Sequence, residues 1–165
     1  MAQVNCSLRP ANAGDEAFLR ELYASTRQAE LALLPWSAEA KQQFVRMQFD
    51  AQRRHYRATY PNAYESIVLA GAAPAGRIYV DRQDAQMLIV DLTLLPQFQR
   101  QAIGWMLVSD LQREAAKYGK AIAGHVERWN PARMFWQRMG FNVGPGNDMY
   151  YRISWTPIQS LAIGS

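Results

Sequence analysis

Apolar residues at helical spacing fill the first part of the chain, after a short β-like run. Residues 5–9 form that run, and beyond Asp15 the apolar side chains recur three and four positions apart, as on the buried face of a helix. Residues 34–37 interrupt this helix, and Ser37 can cap a second one that extends to about residue 60. The pattern therefore predicts one strand followed by two helices.

From residue 64 onward, short runs of β-branched and aromatic residues alternate with turns. The first three runs predict a meander of strands at residues 64–70, 77–82 and 87–95. The third is so rich in Leu, Ile and Val that we expect both of its faces to be buried. A helix, a strand, a short helix and a final strand follow at residues 100–118, 121–126, 131–139 and 149–155, with a weak extra strand near Phe141.

This order of elements predicts the fold class. The strand, helix and strand that follow residue 87 imply a parallel pair joined by a right-handed crossover. We therefore predict an α/β (α+β) fold, with a central mixed, mostly antiparallel sheet of six or seven strands and helices on both faces. A chain of 165 residues that is 49% apolar suits one domain, which we place at residues 1–156, with a loosely ordered C-terminal tail at 157–165.

Composition argues against several classes of protein. Cys6 is the only cysteine and there are two histidines, so we expect neither a disulfide within the chain nor a metal site. No apolar run approaches the roughly 20 residues of a membrane helix, and no secretory signal is visible, so we expect a cytoplasmic protein. The net charge of +4 suits a polyanion, but the basic residues are scattered, so nucleic-acid binding is only a weak alternative.

Residues 90–107 carry the most informative chemistry. An apolar strand runs there into a turn with small residues, which leads into the start of a helix. The unpaired N–H groups at a helix N-terminus bind anions, and small residues such as Ala102 and Gly104 let phosphate oxygens approach the backbone. The alternative is a plain strand-to-helix turn in which Gly104 only packs against the sheet.

Two segments resemble the motifs of one enzyme family. Gln99, Ala102 and Gly104 resemble the acetyl-coenzyme A signature Gln/Arg-x-x-Gly-x-Gly/Ala of the GNAT superfamily of N-acetyltransferases, with alanine in place of the usual first glycine. Residues 130–141 resemble a later motif of that family, an Asn-Pro-Ala helix that ends in Gly-Phe. The two motifs occur in the family's order and on the predicted elements.

The resemblance implies how acetyl-coenzyme A, the cosubstrate of the family, would be held. In the family, the strand before the signature and the strand before the Asn helix splay apart, and the opened backbone edge pairs with pantetheine. The helix N-terminus holds the pyrophosphate, and the later motif lies beside the cofactor. The residues implied for these three parts are Leu92, Thr93 and Leu94; Arg100, Gln101, Ala102, Ile103, Gly104 and Trp105; and Asn130, Arg133 and Trp136.

Direct transfer to an amine requires a base that removes the proton of the amine. His125 is the first candidate, because it lies on the strand before the later motif and imidazole changes charge between about pH 5 and 8. The alternative for His125 is a hydrogen-bonded histidine at a strand end. Asp91 and Glu127 are the other candidates. An aspartate inside an apolar strand is costly unless paired, so Asp91 either bonds neighbouring backbone or faces the active cleft.

The proton donor for the leaving thiolate is less evident from the sequence. The family commonly has tyrosine four residues before the Gly-Phe pair, where this chain has Trp136, and an indole does not release a proton at useful pH. Tyr150, Tyr151 or water can replace that tyrosine. Trp136 and Ala102 also motivate an alternative function, a non-catalytic module that binds or senses acyl-coenzyme A.

The divergent first half of the chain is where the family shapes its acceptor site. Glu30 and a row of polar residues at helical spacing, Gln48, Gln52 and Tyr56, are the candidate acceptor residues, although they also suit a solvated helix face. The leading prediction is an N-acetyltransferase that moves an acetyl group directly to a primary amine of a small molecule or peptide. Exposed strand edges would allow a homodimer.

Overall fold

The computed structural model describes residues 5–128 and 130–158. The strands are β1 (Cys6–Pro10), β2 (Tyr64–Ala70), β3 (Ala73–Arg82), β4 (Gln86–Leu94), β5 (Ala121–Glu127), β6 (Asn142–Gly144) and β7 (Tyr150–Trp155). The α-helices are α1 (Glu16–Ala32), α2 (Ala38–Thr59), α3 (Ile103–Lys117) and α4 (Arg133–Arg138). Ser37 caps α2, as predicted, because its hydroxyl accepts the N–H of Ala40 at 3.1 Å.

The strands form a seven-stranded sheet in the order β1-β2-β3-β4-β5-β7-β6. β4 and β5 are parallel, whereas the pairs β1–β2, β2–β3, β5–β7 and β6–β7 are antiparallel. The parallel pair is joined by α3, as the strand–helix–strand pattern requires. The predicted mixed, mostly antiparallel sheet is therefore confirmed.

Contacts divide the chain into two compact units. The first unit comprises Met1–Val80 and Val90–Gly104, and the second comprises Asp81–Ile89 and Trp105–Ser165. In the first unit the apolar stripes of α1 and α2 build a core with β2, in which Leu22, Phe49 and Ile67 are almost completely buried. These stripes arise from the spacing of three and four residues that predicted the helices.

The second unit has its own buried apolar residues, among them Val108 of α3, Ile122 of β5 and Ile153 of β7. A polar contact ties α3 to the end of α4: the side-chain amide of Gln112 donates to the carbonyl of Met139 at 2.7 Å. The weak strand predicted near residue 141 is present as β6, which pairs with β7.

Helix α3 begins three residues later than the apolar pattern predicts. The pattern starts the helix at residue 100, but α3 starts at Ile103 because Arg100 and Ala102 have φ angles of 61° and 65°. A right-handed helix cannot contain these left-handed conformations. The segment before α3 is therefore a separate turn.

Strand β4 is fully buried only in its first half. Met87, Leu88 and Ile89 are buried, whereas the residues from Val90 to Leu94 are half-buried. The prediction that both faces of the whole strand are buried is therefore wrong for the second half. The physical reason is that β5 pairs with β4 only as far as Ile89, so the residues after Ile89 lack this neighbouring strand.

Two further predictions concern the C-terminal tail and membrane-spanning helices. Residues 159–165 of the predicted tail lie outside the described residues, so the loose order of the tail stays a prediction. Within residues 5–128 and 130–158, no helix combines the length and the apolar character that crossing a membrane demands.

Candidate functional site

Strand β4 continues beyond the residues that pair with β5. The parallel register runs from Gln86 opposite Ala121 to Ile89 opposite Gly124, within the second unit. In the first unit β4 continues to Leu94. A strand that extends past its neighbour presents main-chain N–H and C=O groups to which an extended ligand can add. The main chain of residues 92–94 is therefore a candidate ligand-binding edge.

A glycine on β3 sets the position of this strand end. A Cβ atom built on Gly76 would lie 2.2 Å from the carbonyl oxygen of Thr93 and 3.0 Å from Cα of Leu94. The N–H of Leu95 donates to the carbonyl of Ala75 at 2.8 Å, next to an irregularity in the β2–β3 register. The end of β4 lies this close to β3 because residue 76 has no side chain.

The turn between β4 and α3 contains two left-handed residues, Arg100 and Ala102. The side-chain amide of Gln99 braces this turn by donating to the carbonyl of Leu94 at 3.0 Å. The turn leads into α3, whose first N–H groups have no acceptor within the helix and lie at the positive end of its dipole. This arrangement of a tight turn and a helix N-terminus binds anions such as phosphate.

Replacing Ala102 with glycine is expected to raise the free energy of unfolding by about 0.5–1 kcal/mol. A left-handed conformation costs an L-residue about 1–2 kcal/mol, and glycine adopts it without that cost. The greater freedom of glycine in the unfolded chain offsets about 0.5–1 kcal/mol of this gain. The matched control is Ala51→Gly on the exposed face of α2, which should lower that free energy by about 1 kcal/mol. Urea unfolding of both variants is the measurement, and a loss of stability in both would contradict the left-handed assignment.

A buried arginine joins three strands and α2 in the first unit. Arg77 of β3 is only 5% exposed. Its Nε and Nη2 donate to Oδ2 of Asp91 at 3.0 and 2.7 Å, its Nη1 donates to Oε2 of Glu65 at 3.1 Å, and its Nη2 donates to Oε1 of Gln52 at 3.2 Å. We call Arg77, Glu65, Asp91 and Gln52 the Arg77 cluster.

The electrostatics of the Arg77 cluster keep the guanidinium charged. Burial alone would lower the pKa of Arg77, but the charge and hydrogen bonds of Asp91 and the charge of Glu65 outweigh burial and raise that pKa. The rings of Tyr56 and Tyr79 lie 5.8 and 5.7 Å from the guanidinium carbon. Burial, and after it the charge of Glu65, raises the pKa of Tyr79.

Asp91, one of the three candidate bases, belongs to this cluster. In addition to Arg77, the hydroxyl of Thr93 donates to the carboxylate of Asp91 at 3.0 Å. The sequence left two alternatives for Asp91, a bond to neighbouring backbone or a place in the active cleft. The observed partners are side chains instead, those of Arg77 and Thr93.

The candidate acceptor residues do not all lie in one place. Gln52 and Tyr56 meet around Arg77, and Gln48 lies half-buried one turn earlier on α2. Glu30 lies near the end of α1, where its carboxylate accepts from Nη1 of Arg27 at 3.3 Å in a half-exposed pair. The polar row on α2 is thus partly an internal network.

In the second unit, His125 lies on an exposed face of the β5–β7 pair. His125 is opposite Arg152, and Glu127 is opposite Tyr150. Cross-strand partners and residues two apart share a face, so all four side chains lie on one face. The rings of His125 and Tyr150 are 6.3 Å apart at an angle of 75°. Two of the candidate proton-transfer groups, His125 and Tyr150, are therefore neighbours.

The later motif forms the start of α4. The side-chain oxygen of Asn130 accepts the N–H of Ala132 at 2.9 Å, which closes the turn before the helix. The guanidinium carbon of Arg133 lies 4.7 Å from the ring centre of Tyr151. Trp136 is buried, edge-on to Phe141 with 5.0 Å between ring centres. Trp136 is therefore part of the aromatic packing of the second unit.

The family of the chain follows from its sequence. Residues 32–158 match the family of the acetyltransferase (GNAT) domain, and these residues include the turn, the Arg77 cluster and the later motif. The chain belongs to the GNAT family. It is therefore an acetyl-coenzyme A-dependent N-acetyltransferase, as the sequence predicts. A comparison of its sequence with those of curated proteins found no match.

Solved structures of other proteins share the GNAT fold of this chain. One is the PaiA N-acetyltransferase from Thermoplasma acidophilum in complex with coenzyme A, with a TM-score of 0.69, 16% identity, and 92% of this chain and 99% of that chain covered. An acetyltransferase from Thermus thermophilus has a TM-score of 0.66 and 15% identity, with 94% and 99% covered. The ribosomal-protein-S18-alanine N-acetyltransferase from Escherichia coli has a TM-score of 0.58 and 15% identity, with 98% and 100% covered.

The residues that the GNAT signature assigns to pyrophosphate differ in exposure. Ile103 is buried, Gly104 is half-buried and Trp105 is 57% exposed. The remaining three residues, Arg100, Gln101 and Ala102, are exposed in the turn. The two left-handed residues, the small side chains of Ala102 and Gly104 and the helix N-terminus suit this turn to a phosphate group such as those of coenzyme A.

Sequence reasoning missed Arg77, which pairs with Asp91 in this GNAT protein, and Glu65, the second carboxylate that pairs with Arg77. The available signal was an aspartate inside an apolar strand, which requires a partner. Glu65 is the one charged residue of β2, and Arg77 is the first of three in β3, before Asp81 and Arg82. Once the meander was predicted, these residues were the nearest candidates.

Proposed function

We propose that this GNAT protein transfers the acetyl group of acetyl-coenzyme A to a primary amine of a small molecule or peptide, in one direct step. The observation that carries the proposal is the end of β4, which extends past β5 and leads through a left-handed turn into the start of α3. A strand edge suits the amide groups of pantetheine, and the helix start suits the pyrophosphate. Acetyl-coenzyme A supplies the activated acetyl thioester.

The proposal divides the cofactor contacts among the predicted residues. The main chain of Leu92, Thr93 and Leu94 pairs with pantetheine. The N–H groups of the turn and of the first turn of α3, from Arg100 to Trp105, hold the pyrophosphate. Asn130 and Arg133 lie beside the cofactor, as in the family. Trp136 supports that part of the site by packing, because its indole is buried against Phe141.

His125 takes the proton from the attacking amine, directly or through one water molecule. Its exposed position on the β5–β7 face supports this role, since a base has to reach the acceptor. Glu127 lies on the same face and is the second candidate. Tyr150 returns a proton to the departing thiolate, and its position beside the ring of His125 supports this role. Asp91 instead holds Thr93 and Arg77, and so positions the end of β4.

The acceptor is recognised by α1 and α2. Gln48, Gln52 and Tyr56 contribute polar groups, and Glu30 contributes a half-exposed carboxylate that attracts a cationic amine. Glutamine and tyrosine donate and accept hydrogen bonds, which suits an amine that arrives protonated and reacts neutral. The cytoplasmic location and the homodimer stay predictions from the sequence.

Acetyl-coenzyme A is expected to raise the melting temperature, because a ligand that binds only the folded state stabilises it by mass action. Replacing Gly104 with valine should weaken this effect more than it lowers the melting temperature without ligand, since a β-branched side chain would obstruct the path of the phosphates. Ala51→Gly on α2 is the control that lowers stability without altering the turn. No shift at millimolar cofactor would contradict the proposal.

Release of free thiol from acetyl-coenzyme A across a panel of amines then tests transfer itself. Thiol release that depends on a particular amine supports the proposal and names the acceptor class. Cofactor binding without release on any amine would favour the alternative of a module that only binds or senses acyl-coenzyme A.

A further inference from the structure

A cleft of about 550 Å³ opens in the first unit, lined by α2, by the segment between β1 and α1, and by the start of β2. Arg53, Arg54 and Arg57 line it from α2, and Asn12 and Glu65 line it from the other elements. Pockets for small molecules typically enclose about 300–1,000 Å³. The cleft is therefore large enough for a metabolite-sized ligand.

The arginines of this cleft have no counter-ions of their own. Among the described residues, the guanidinium groups of Arg53, Arg54 and Arg57 take part in no hydrogen bond or ion pair. Two of the carboxylates that line the cleft are engaged elsewhere, Glu16 with Arg20 at 3.2 Å and Glu65 with Arg77 at 3.1 Å. Asp50 is the remaining carboxylate of the lining. Positive charge is therefore in excess in the cleft.

Arg53 carries a buried donor that lacks an acceptor. Its Nη1 is shielded from solvent and has no hydrogen-bond partner. The ring of Phe49 lies 5.4 Å from the guanidinium carbon of Arg53 and holds the group in place. A buried N–H group without an acceptor is unfavourable, so a change of rotamer that brings this nitrogen to a ligand oxygen in the cleft would lower the free energy of the folded state.

We propose that this cleft binds an oxyanion group, phosphate or carboxylate, of a small molecule. The planar guanidinium group offers several N–H donors in a fixed geometry that matches both anions. Arg53 supplies the buried donor, Arg54 and Arg57 supply further charge at the exposed side, and the opening leaves room for the rest of the ligand.

The cleft is separate from the cofactor edge. Its residue Glu65 is opposite Tyr79 of β3, whereas Ala75 and Gly76 are the β3 residues beside the end of β4. Tyr79 is four positions from Ala75, which at about 3.3 Å per residue is about 13 Å along the strand. A ligand in the cleft therefore leaves the cofactor edge accessible, and both can be occupied together.

The test measures binding of inorganic phosphate to the whole protein at constant ionic strength, with coenzyme A present so that the turn before α3 is already occupied. We expect saturable binding to the unaltered protein. Arg53→Gln and Arg57→Gln should each raise the Kd for phosphate about tenfold, the effect of losing one charge-assisted hydrogen bond. Arg46→Gln, exposed on the same helix but outside the cleft, is the matched control and should leave the Kd unchanged.

Pyrophosphate and citrate, titrated in the same way, distinguish a phosphorylated ligand from a carboxylated one. Tighter binding of either anion that both arginine variants weaken supports the proposal and names the source of the oxyanion. Absence of saturable binding of all three anions overturns the proposal. Binding that Arg53→Gln and Arg57→Gln leave at the level of Arg46→Gln also overturns it. Arg57 is exposed, so its variant keeps the test decisive even where Arg53→Gln unfolds the protein.

Discussion

Replacing His125 with alanine is expected to lower kcat/KM about 10²- to 10⁴-fold, the usual range for removal of a general base. The exposed imidazole lies on β5 beside Tyr150, where an acceptor amine can reach it. The affinity for acetyl-coenzyme A should change little, because the proposed cofactor contacts come from main chain elsewhere. Steady-state kinetics on the amine found by the thiol-release screen provide the measurement.

The pH dependence of the rate separates a base from a merely structural histidine. If His125 is the general base, the rate of the unaltered enzyme should have an acidic limb that His125→Ala lacks. Higher pH should partly restore the variant, since more of the amine is then neutral. His55→Ala, an exposed histidine on α2, is the matched control and should keep both rate and profile. Near-normal turnover of His125→Ala with the same acidic limb would assign the proton to Glu127 or to solvent.

Replacing Arg77 with methionine is expected to lower the free energy of unfolding by about 3–5 kcal/mol, because it leaves partly buried carboxylates without their cation. Asp91 and Glu65 both rely on this guanidinium, which is itself buried. Urea unfolding monitored by circular dichroism measures the change, and methionine keeps much of the volume of the side chain.

Two further variants identify the origin of the loss. Arg20→Met removes the half-buried partner of Glu16, whose carboxylate is exposed and stays hydrated, and should cost about 1 kcal/mol. The double variant Arg77→Met/Asp91→Asn should recover part of the stability that Arg77→Met loses, because one orphaned charge is gone. Equal losses for Arg77→Met and Arg20→Met would show that the buried cluster contributes no more than a surface pair.

The sequence predicts those parts of the fold and site that are determined by residues close together in the chain. The strand, turn and helix at residues 86–117 are contiguous, so apolar spacing and small residues were enough to locate the candidate cofactor segment. A glycine at position 102, as is usual in the motif, would have indicated a left-handed conformation there. Because this chain has Ala102 instead, the sequence did not indicate it. The helix start was therefore predicted three residues too early.

Other features depend on residues that are distant in the sequence. Arg77 and Asp91 are 14 positions apart, and Gln52 is 25 positions from Arg77, so the cluster exists only once β3, β4 and α2 are assembled. A polar row on a helix has the same spacing whether it faces solvent or a buried guanidinium. For that reason the polar row predicted Gln52 and Tyr56 as acceptor residues and did not by itself indicate Arg77.

The close approach of Gly76 to Thr93 has a consequence for how such a protein tolerates sequence drift. In the proposed mode of binding, the edge acts through main-chain groups, so the side chains of Leu92 and Leu94 can vary as long as the strand remains extended. Residue 76 lacks that freedom, because even one methyl group would displace the carbonyl of Thr93. A requirement for ligand binding at the end of β4 would therefore constrain residue 76 of β3, which does not itself contact the ligand, more than it constrains Leu92 and Leu94 of β4.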